Sequence, residues 1–180
     1  MTNHTNRVAN INIFVSSVKT EFSDERQKIR EFINNDPLLK HFFQVYLFED
    51  FPVVDYRPSV YLDKVNQCTI YLGIFGSNYR SEDLEGAFPA ISPTEREFDR
   101  ATEQSKYRII FVHKTKNSIR TTNMAALVQK AERQLVRRYF TDISDLKTEV
   151  YSALVQYLYN VGLLQNQPFN ESASEGNHSI

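Results

Sequence analysis

Two glutamates near the start of one predicted helix are expected to have different roles. Ser92 and Pro93 are typical of a helix N-terminus, because serine caps free backbone N–H groups and proline suits the first helical position. Glu95 lies where a capping-box glutamate reaches back to the Ser92 N–H. Glu97 lies beyond the cap and shares a helix face with Ala101, whose methyl leaves room beside a carboxylate. Glu97 is therefore the candidate catalytic residue, although a glutamate on a helix is usually solvated and without such a role.

The amino-acid composition predicts one globular domain. The chain of 180 residues has 13 Phe and 10 Tyr but no Trp, which is enough aromatic area for a sizeable core. A formal net charge of −1 excludes a protein that is basic overall and binds nucleic acid through that charge. Cys68 is the only cysteine, so we expect neither a disulfide framework nor a cysteine-based metal site. The start lacks a secretory signal and no apolar run is long enough to span a membrane, which predicts a cytoplasmic protein.

Short apolar runs alternate with amphipathic stretches along most of the chain. The runs occupy 11–15, 43–48, 68–75, 107–112 and 135–140. Ser23 predicts the N-cap of the first helix, and Gly162 predicts the end of the last one. Such alternation implies right-handed crossovers and a mostly parallel sheet with helices on both faces. We therefore predict one three-layered α/β domain at 10–164, preceded by a flexible N-terminus at 1–9 and followed by a flexible tail at 165–180.

The predicted strand ends contain the polar residues that a ligand would meet. In open sheets of this class, ligands bind beyond the carboxyl ends of the strands, where the strand order reverses. The residues expected to form one cleft with the helix that begins at Ser92 are Ser16, Ser17, Glu49, Asp50, Gly76 and Ser77. The alternative is that Ser16 and Ser17 only begin a helix and that Gly76 only makes a turn.

Six segments, taken in this order, resemble the bacterial domain of unknown function 4062, a TIR-like family. They are 13–17, 24–26, 47–50, 61–65, 71–76 and 92–98, and they extend over most of 11–112. More distantly, Glu97 followed by Ala101 is similar to the helix that bears the catalytic glutamate in NAD-cleaving TIR domains and in nucleoside 2-deoxyribosyltransferases.

The resemblance implies a flavodoxin-like five-stranded sheet in the order 2-1-3-4-5, and an activity. That activity is cleavage of the nicotinamide–ribose bond of NAD by hydrolysis or cyclisation, in bacterial antiphage defence or signalling, with NAD as substrate and no cofactor. Glu97 would stabilise or trap the positive charge that develops at the anomeric carbon. Phe51 or Tyr79 would stack on a base. Donors to phosphate or ribose would come from Ser16, Ser17, Gly76 and Ser77.

Other functions stay open from the sequence. Members of the resembled family often precede a DNA-binding or ATP-hydrolysing region, so the chain could be a non-catalytic sensor or interaction module that associates with itself or with a partner domain. A nucleoside 2-deoxyribosyltransferase is disfavoured, because Thr69 and Ser77 stand where we expect an acidic residue near the third strand. Nucleic-acid binding is disfavoured as well, since a solvated helix face explains the basic cluster of Lys130, Arg133, Arg137 and Arg138.

Overall fold

A parallel sheet of five strands forms the centre of the part of the protein that the structure describes. The structure is a computed structural model that describes residues 10–47, 50, 58–80, 91–115 and 119–165, with the backbone alone at 58–61. The strands are β1 (Ile11–Ser17), β2 (Phe43–Tyr46), β3 (Ile70–Phe75), β4 (Tyr107–His113) and β5 (Arg137–Phe140). Their order is β2-β1-β3-β4-β5, and every pair is parallel. The predicted α/β flavodoxin-like fold and strand order are confirmed.

Helices cover both faces of this sheet. They are α1 (Lys19–Asn35), α2 (Pro58–Gln67), α3 (Pro93–Glu103), α4 (Thr122–Glu132) and α5 (Ile143–Asn160), and a short 3₁₀ helix spans Leu39–His41. Apolar residues of α1 and α5 form one core cluster with side chains such as Ile13 and Leu72. Those of α2, α3 and α4 form a second cluster with Phe14 and Tyr71 on the opposite face. Among the helices in the described ranges, none is long and apolar enough to cross a bilayer.

Strand β3 is buried along its whole length, which agrees with its uninterrupted apolar sequence. Gly73 lies in register with Ser16 of β1 at the middle of the sheet. Phe98 of α3 packs its ring edge-on against Tyr71 and Phe75, with centroid distances of 6.2 and 6.0 Å. The rings of Tyr71 and Phe75 flank Gly73 on the same face of the sheet, so α3 packs directly over the centre of the sheet.

The boundaries of several elements differ from the sequence prediction. Helix α1 begins at Lys19, earlier than the predicted cap at Ser23, and its regular geometry is interrupted at Phe22, with φ −128° and ψ 30°. The predicted cap at Ser23 was wrong for the start of α1, because a first helical turn directly follows β1, but regular helical geometry resumes at Ser23 after the kink at Phe22. The end of α5 is confirmed, since Gly162 follows the C-cap with φ +74°, a conformation that favours glycine. The predicted flexible segment 1–9 and the tail from 166 lie outside the described residues.

Candidate active site

The start of α3 has the predicted serine cap. The Ser92 hydroxyl accepts a hydrogen bond from the Glu95 N–H at 3.1 Å, and Pro93 follows in the first turn. Ser92 is fully buried, as is Phe98 further along the helix. The cap and the aromatic contact of Phe98 together fix both the start of α3 and its rotation about its own axis.

This rotation directs Glu97 toward the sheet. Glu97 is only 7% exposed, and its Oε2 accepts a hydrogen bond from the Ser16 hydroxyl near the carboxyl end of β1. Ser16 is itself buried, and Ala101, on the same helix face as Glu97, is fully buried in the core cluster. The ordinary expectation of a solvated helix glutamate is therefore wrong here. The structure brings together Glu97, Ser16 and Ala101 from the predicted site.

Tyr71 of β3 is a further member of this site that the sequence analysis missed. It is fully buried on the face that α3 covers, and its hydroxyl lies 3.5 Å from the Thr94 carbonyl oxygen. Burial raises the pKa of Tyr71 well above its usual value, and the negative charge of Glu97 raises it further. The Tyr71 hydroxyl therefore stays protonated beside the Glu97 carboxylate. Nothing in the sequence distinguished Tyr71 from a core aromatic residue, because it lies within a continuous apolar run.

Glu95 has a different environment on the outer side of α3. Its carboxylate accepts hydrogen bonds from the Tyr79 hydroxyl at 2.5 Å and from the Lys130 ammonium at 3.0 Å. The Ser92 N–H donates to the Tyr79 hydroxyl at 3.1 Å instead of to Glu95. The predicted capping box is therefore correct for Ser92 and wrong for Glu95. The pKa of Tyr79 is raised, first by burial and then by its hydrogen bond to Glu95.

The turn after β3 is fixed by hydrogen bonds from two sides. The Glu21 carboxylate of α1 accepts the Ser77 N–H at 2.7 Å and the Asn78 N–H at 3.0 Å. The Arg120 guanidinium donates to the Gly76 carbonyl at 2.9 Å and to the His113 carbonyl at 3.0 Å. The predicted site residues Gly76 and Ser77 therefore lie at the carboxyl end of β3, and their backbone groups already have intramolecular partners. Sequence reasoning did not identify Glu21 or Arg120.

Of the remaining predicted site residues, the structure describes two, and neither takes part in the hydrogen bond between Ser16 and Glu97. Asp50 accepts the Leu47 N–H at 2.9 Å and forms an ion pair with Arg30 of α1, so it stabilises the turn after β2. Ser17 ends β1, and its buried hydroxyl has no hydrogen-bond partner within the described part of the chain. The two others, Glu49 and Phe51, lie outside the described residues.

A cavity of about 130 Å³ lies between α2 and the first two strands. Its lining residues are Asn12, Phe14, Tyr46, Lys64, Gln67 and Cys68. The cavity reaches the carboxyl end of β2, because Tyr46 is the last residue of that strand, and Phe14 lies two residues before Ser16, about 7 Å along β1. Burial raises the pKa of the Cys68 thiol to about 11, which keeps this thiol protonated and unreactive at neutral pH.

Three residues of the predicted basic cluster pair with carboxylates, and the described ranges hold no group of metal ligands. Within the described ranges, no group of three or more His, Cys, Asp or Glu side chains could bind a metal ion. In the basic cluster, Lys130 pairs with Asp99 and Glu95, while Arg137 pairs with Glu132 and Arg138 with Glu149. The charges of these three residues are therefore balanced locally.

Comparisons with known proteins identify the family and the fold. The family model described as "Domain of unknown function (DUF4062)" matches residues 12–155. No curated protein matches the sequence. Among solved structures, the CMP N-glycosidase BcmB from Clostridium botulinum is similar, with 11% sequence identity and a TM-score of 0.50. The similarity covers 79% of this chain and 98% of that protein, and at this identity it shows a shared fold alone.

Proposed function

Because the chain belongs to the DUF4062 family, whose description names no activity, we propose its function from the site around Glu97. The proposal is cleavage of the N-glycosidic bond of a nucleotide, and NAD is the first candidate substrate. The observation that supports it is a buried carboxylate, Glu97, that accepts a hydrogen bond from Ser16 near the carboxyl end of β1. A buried carboxylate fixed in this way can stabilise a positive charge that develops in front of it.

The chemistry of NAD cleavage needs little more than such a carboxylate. Nicotinamide leaves the ribose as a neutral molecule, and both electrons of the broken bond go with it. Positive charge then develops on the anomeric carbon and the ring oxygen, where the Glu97 carboxylate stabilises it or forms a transient ester. Water adds to the anomeric carbon and releases one proton, which gives ADP-ribose. Attack by a nitrogen of the same molecule's adenine would instead give a cyclic product.

The hydroxyls near Glu97 favour NAD over CMP as the substrate. The similar structure is described as a CMP N-glycosidase, so CMP is the natural competing substrate. Cytosine would leave as an anion unless a proton donor assists it. Ser16 and Tyr71 are poor proton donors, because a serine hydroxyl is a weak acid and burial raises the pKa of Tyr71. A positively charged pyridinium ring, which leaves without protonation, suits this site better.

The test is to incubate the purified protein separately with NAD and with CMP and to measure released nicotinamide and cytosine. A crowding agent is added in parallel to favour self-association. Glu97→Gln keeps the size of the side chain and removes its charge, and we expect it to lower nicotinamide release by about 10²-fold or more. Glu103→Gln is the matched control at the exposed end of the same helix and is expected to retain activity.

The products and the outcome with CMP decide between the related activities. ADP-ribose indicates hydrolysis, whereas a cyclic nucleotide indicates cyclisation. Cytosine release without nicotinamide release would replace NAD by CMP as the substrate. No release of either base by the wild-type protein, with or without the crowding agent, would contradict the proposed enzyme function.

A non-catalytic interaction module is the second candidate, and the edge of the sheet supports it. Strand β5 lies at one end of the strand order, and Val136, just before it, is 94% exposed. Tyr139 within β5 is also exposed. An open strand edge with apolar side chains is a surface on which a second copy can pair. A dimer that Val136→Lys dissociates, in a protein that releases no base, would support this candidate over the enzyme.

A further inference from the structure

The strand order reverses between β1 and β3. The chain leaves β1 into α1 on one face of the sheet, and it leaves β3 toward α3 on the other face. In open α/β sheets, such a divergence leaves a crevice beyond the two strand ends, and ligands bind there. Ser16 and Glu97 lie on the α3 side of this position.

Glu21 extends across this crevice from α1 to the end of β3. One of its carboxylate oxygens accepts the Ser77 N–H at 2.7 Å, and the other accepts the Asn78 N–H at 3.0 Å. Two successive backbone N–H groups that donate to one anionic group form the kind of site that binds phosphate in other α/β proteins. Here the protein's own carboxylate occupies that site.

The surrounding residues are adapted to this carboxylate. A Cβ added at Gly76 would overlap Oε1 of Glu21 and the ring of Phe22, so any other residue there would have to displace these side chains. The backbone of Phe22 departs from helical geometry directly after Glu21, which sets the first turn of α1 apart from the rest of the helix. The hydrogen bonds of Glu21 are therefore accompanied by a glycine at the end of β3 and by a kink in α1.

We propose that Glu21 is a specificity-determining residue that excludes phosphate from the β1–β3 crevice and accepts hydrogen bonds from sugar hydroxyls there. The carboxylate repels an anion and already occupies the two N–H groups that would bind it. Each carboxylate oxygen has a second lone pair, which can accept a hydrogen bond from a hydroxyl group. The assignment of the hydroxyls to a substrate ribose rests on the proposed function, whereas the exclusion of phosphate does not. For NAD, the pyrophosphate would lie away from the end of β3.

The first experiment measures phosphate binding directly. Sodium phosphate is titrated into the wild-type protein and Glu21→Ala at constant ionic strength, and the amide chemical shifts of Ser77 and Asn78 are followed. We expect saturable shifts in Glu21→Ala, with an affinity about tenfold or more above that of the wild type. Glu31→Gln, an exposed glutamate of the same helix, is the control and should behave as the wild type.

Two results would overturn the proposal. Equal phosphate affinity in the wild type and Glu21→Ala would mean that the carboxylate excludes nothing. Loss of folding in both Glu21→Ala and Glu21→Gln would mean that the carboxylate serves the fold and not specificity. Glu21→Gln keeps the side-chain length and one acceptor oxygen, so we expect it to fold and to bind phosphate more tightly than the wild type.

The second experiment uses turnover. Nicotinamide riboside has the same scissile bond as NAD but no phosphate, so the ratio of kcat/KM for the two substrates reports on phosphate recognition. We expect Glu21→Ala to raise this ratio in favour of NAD by several-fold, and an unchanged ratio would contradict the proposal. If the wild type cleaves neither substrate, the proposed function fails, and the phosphate titration still decides the role of Glu21.

Discussion

The first turns of α3 place two glutamates in different environments, one on the inner side of the helix, which faces the sheet, and one on the outer side. Glu95 lies on the outer side, with Tyr79 and Lys130 bonded to its carboxylate. Glu97 lies on the inner side, buried against Ser16 of β1. One partner of Glu95, Tyr79, also accepts the Ser92 N–H at the helix start, and the other, Lys130, joins α3 to α4. Glu97 lies beside the carboxyl end of β1, and open α/β sheets bind their ligands beyond such strand ends. The direction in which a glutamate side chain leaves the helix, more than its position along the helix, therefore separates Glu95 from Glu97, for which we propose a catalytic role.

The strongest test of this difference is chemical rescue of a missing carboxylate. Glu97→Ala should lower nicotinamide release by about 10²-fold or more, because the developing positive charge loses its counter-charge. Added formate should restore part of the rate by entering the cavity that the mutation leaves. Glu95→Ala is the matched variant and should retain most activity with no response to formate. Similar losses of activity in the two variants would abolish the distinction between the two sides of the helix.

Ser16→Ala tests whether the inner carboxylate needs its hydrogen-bond donor. A hydrogen bond to a charged acceptor contributes about 1.5–3 kcal/mol, so its loss should lower nicotinamide release by about tenfold or more. Ser16→Thr keeps the hydroxyl and should retain more activity than Ser16→Ala. Rates for Ser16→Ala equal to the wild type would show that Glu97 is positioned without Ser16.

Tyr79→Phe tests the outer network. The Tyr79 hydroxyl accepts the Ser92 N–H and donates to Glu95, so its loss leaves a backbone donor without that acceptor. We expect a decrease in unfolding free energy of about 1–2 kcal/mol in urea, with little change in kcat. Tyr159→Phe, at an exposed position of α5, is the control. Unchanged stability in Tyr79→Phe would mean that Ser92 alone fixes the helix start.

The smallest effect is expected for Lys130→Met, because its ion pairs with Glu95 and Asp99 are partly exposed. The loss in unfolding free energy should be under about 1 kcal/mol and should diminish at high salt. Burial lowers the pKa of Lys130, but its hydrogen bonds to Asp99 and Glu95 raise it more, and the net shift is upward from 10.5.

The upward shift in the pKa of Lys130 fixes the sign of the pH dependence. A group whose pKa is higher in the folded protein stabilises the fold below its unfolded pKa, and this contribution disappears as the pH rises through the folded value. The difference in unfolding free energy between wild type and Lys130→Met should therefore persist at neutral pH and shrink above pH 10.5. A difference that grows at high pH would contradict the assignment of these ion pairs.

The sequence predicted the parts of the molecule that depend on local pattern. The continuous apolar run of β3 and the Ser92 cap were predicted because burial on both faces and helix capping leave clear local signals. The burial of Glu97 depends on the rotation of α3 over the sheet, which the packing of Phe98 fixes and which the sequence only suggested through Ala101. Glu21 was not predicted, since its partners Ser77 and Asn78 are distant in the chain.

The two carbonyl contacts of Arg120 have a consequence for the motions of the protein. One guanidinium joins the end of β3, at Gly76, to the end of β4, at His113. Local opening of either strand end breaks one of the two hydrogen bonds that hold this guanidinium, so we expect the openings of the two ends to be coupled. Amide hydrogen exchange should then show the ends of β3 and β4 as one cooperative unit, and a ligand that contacts either strand end should slow exchange at both.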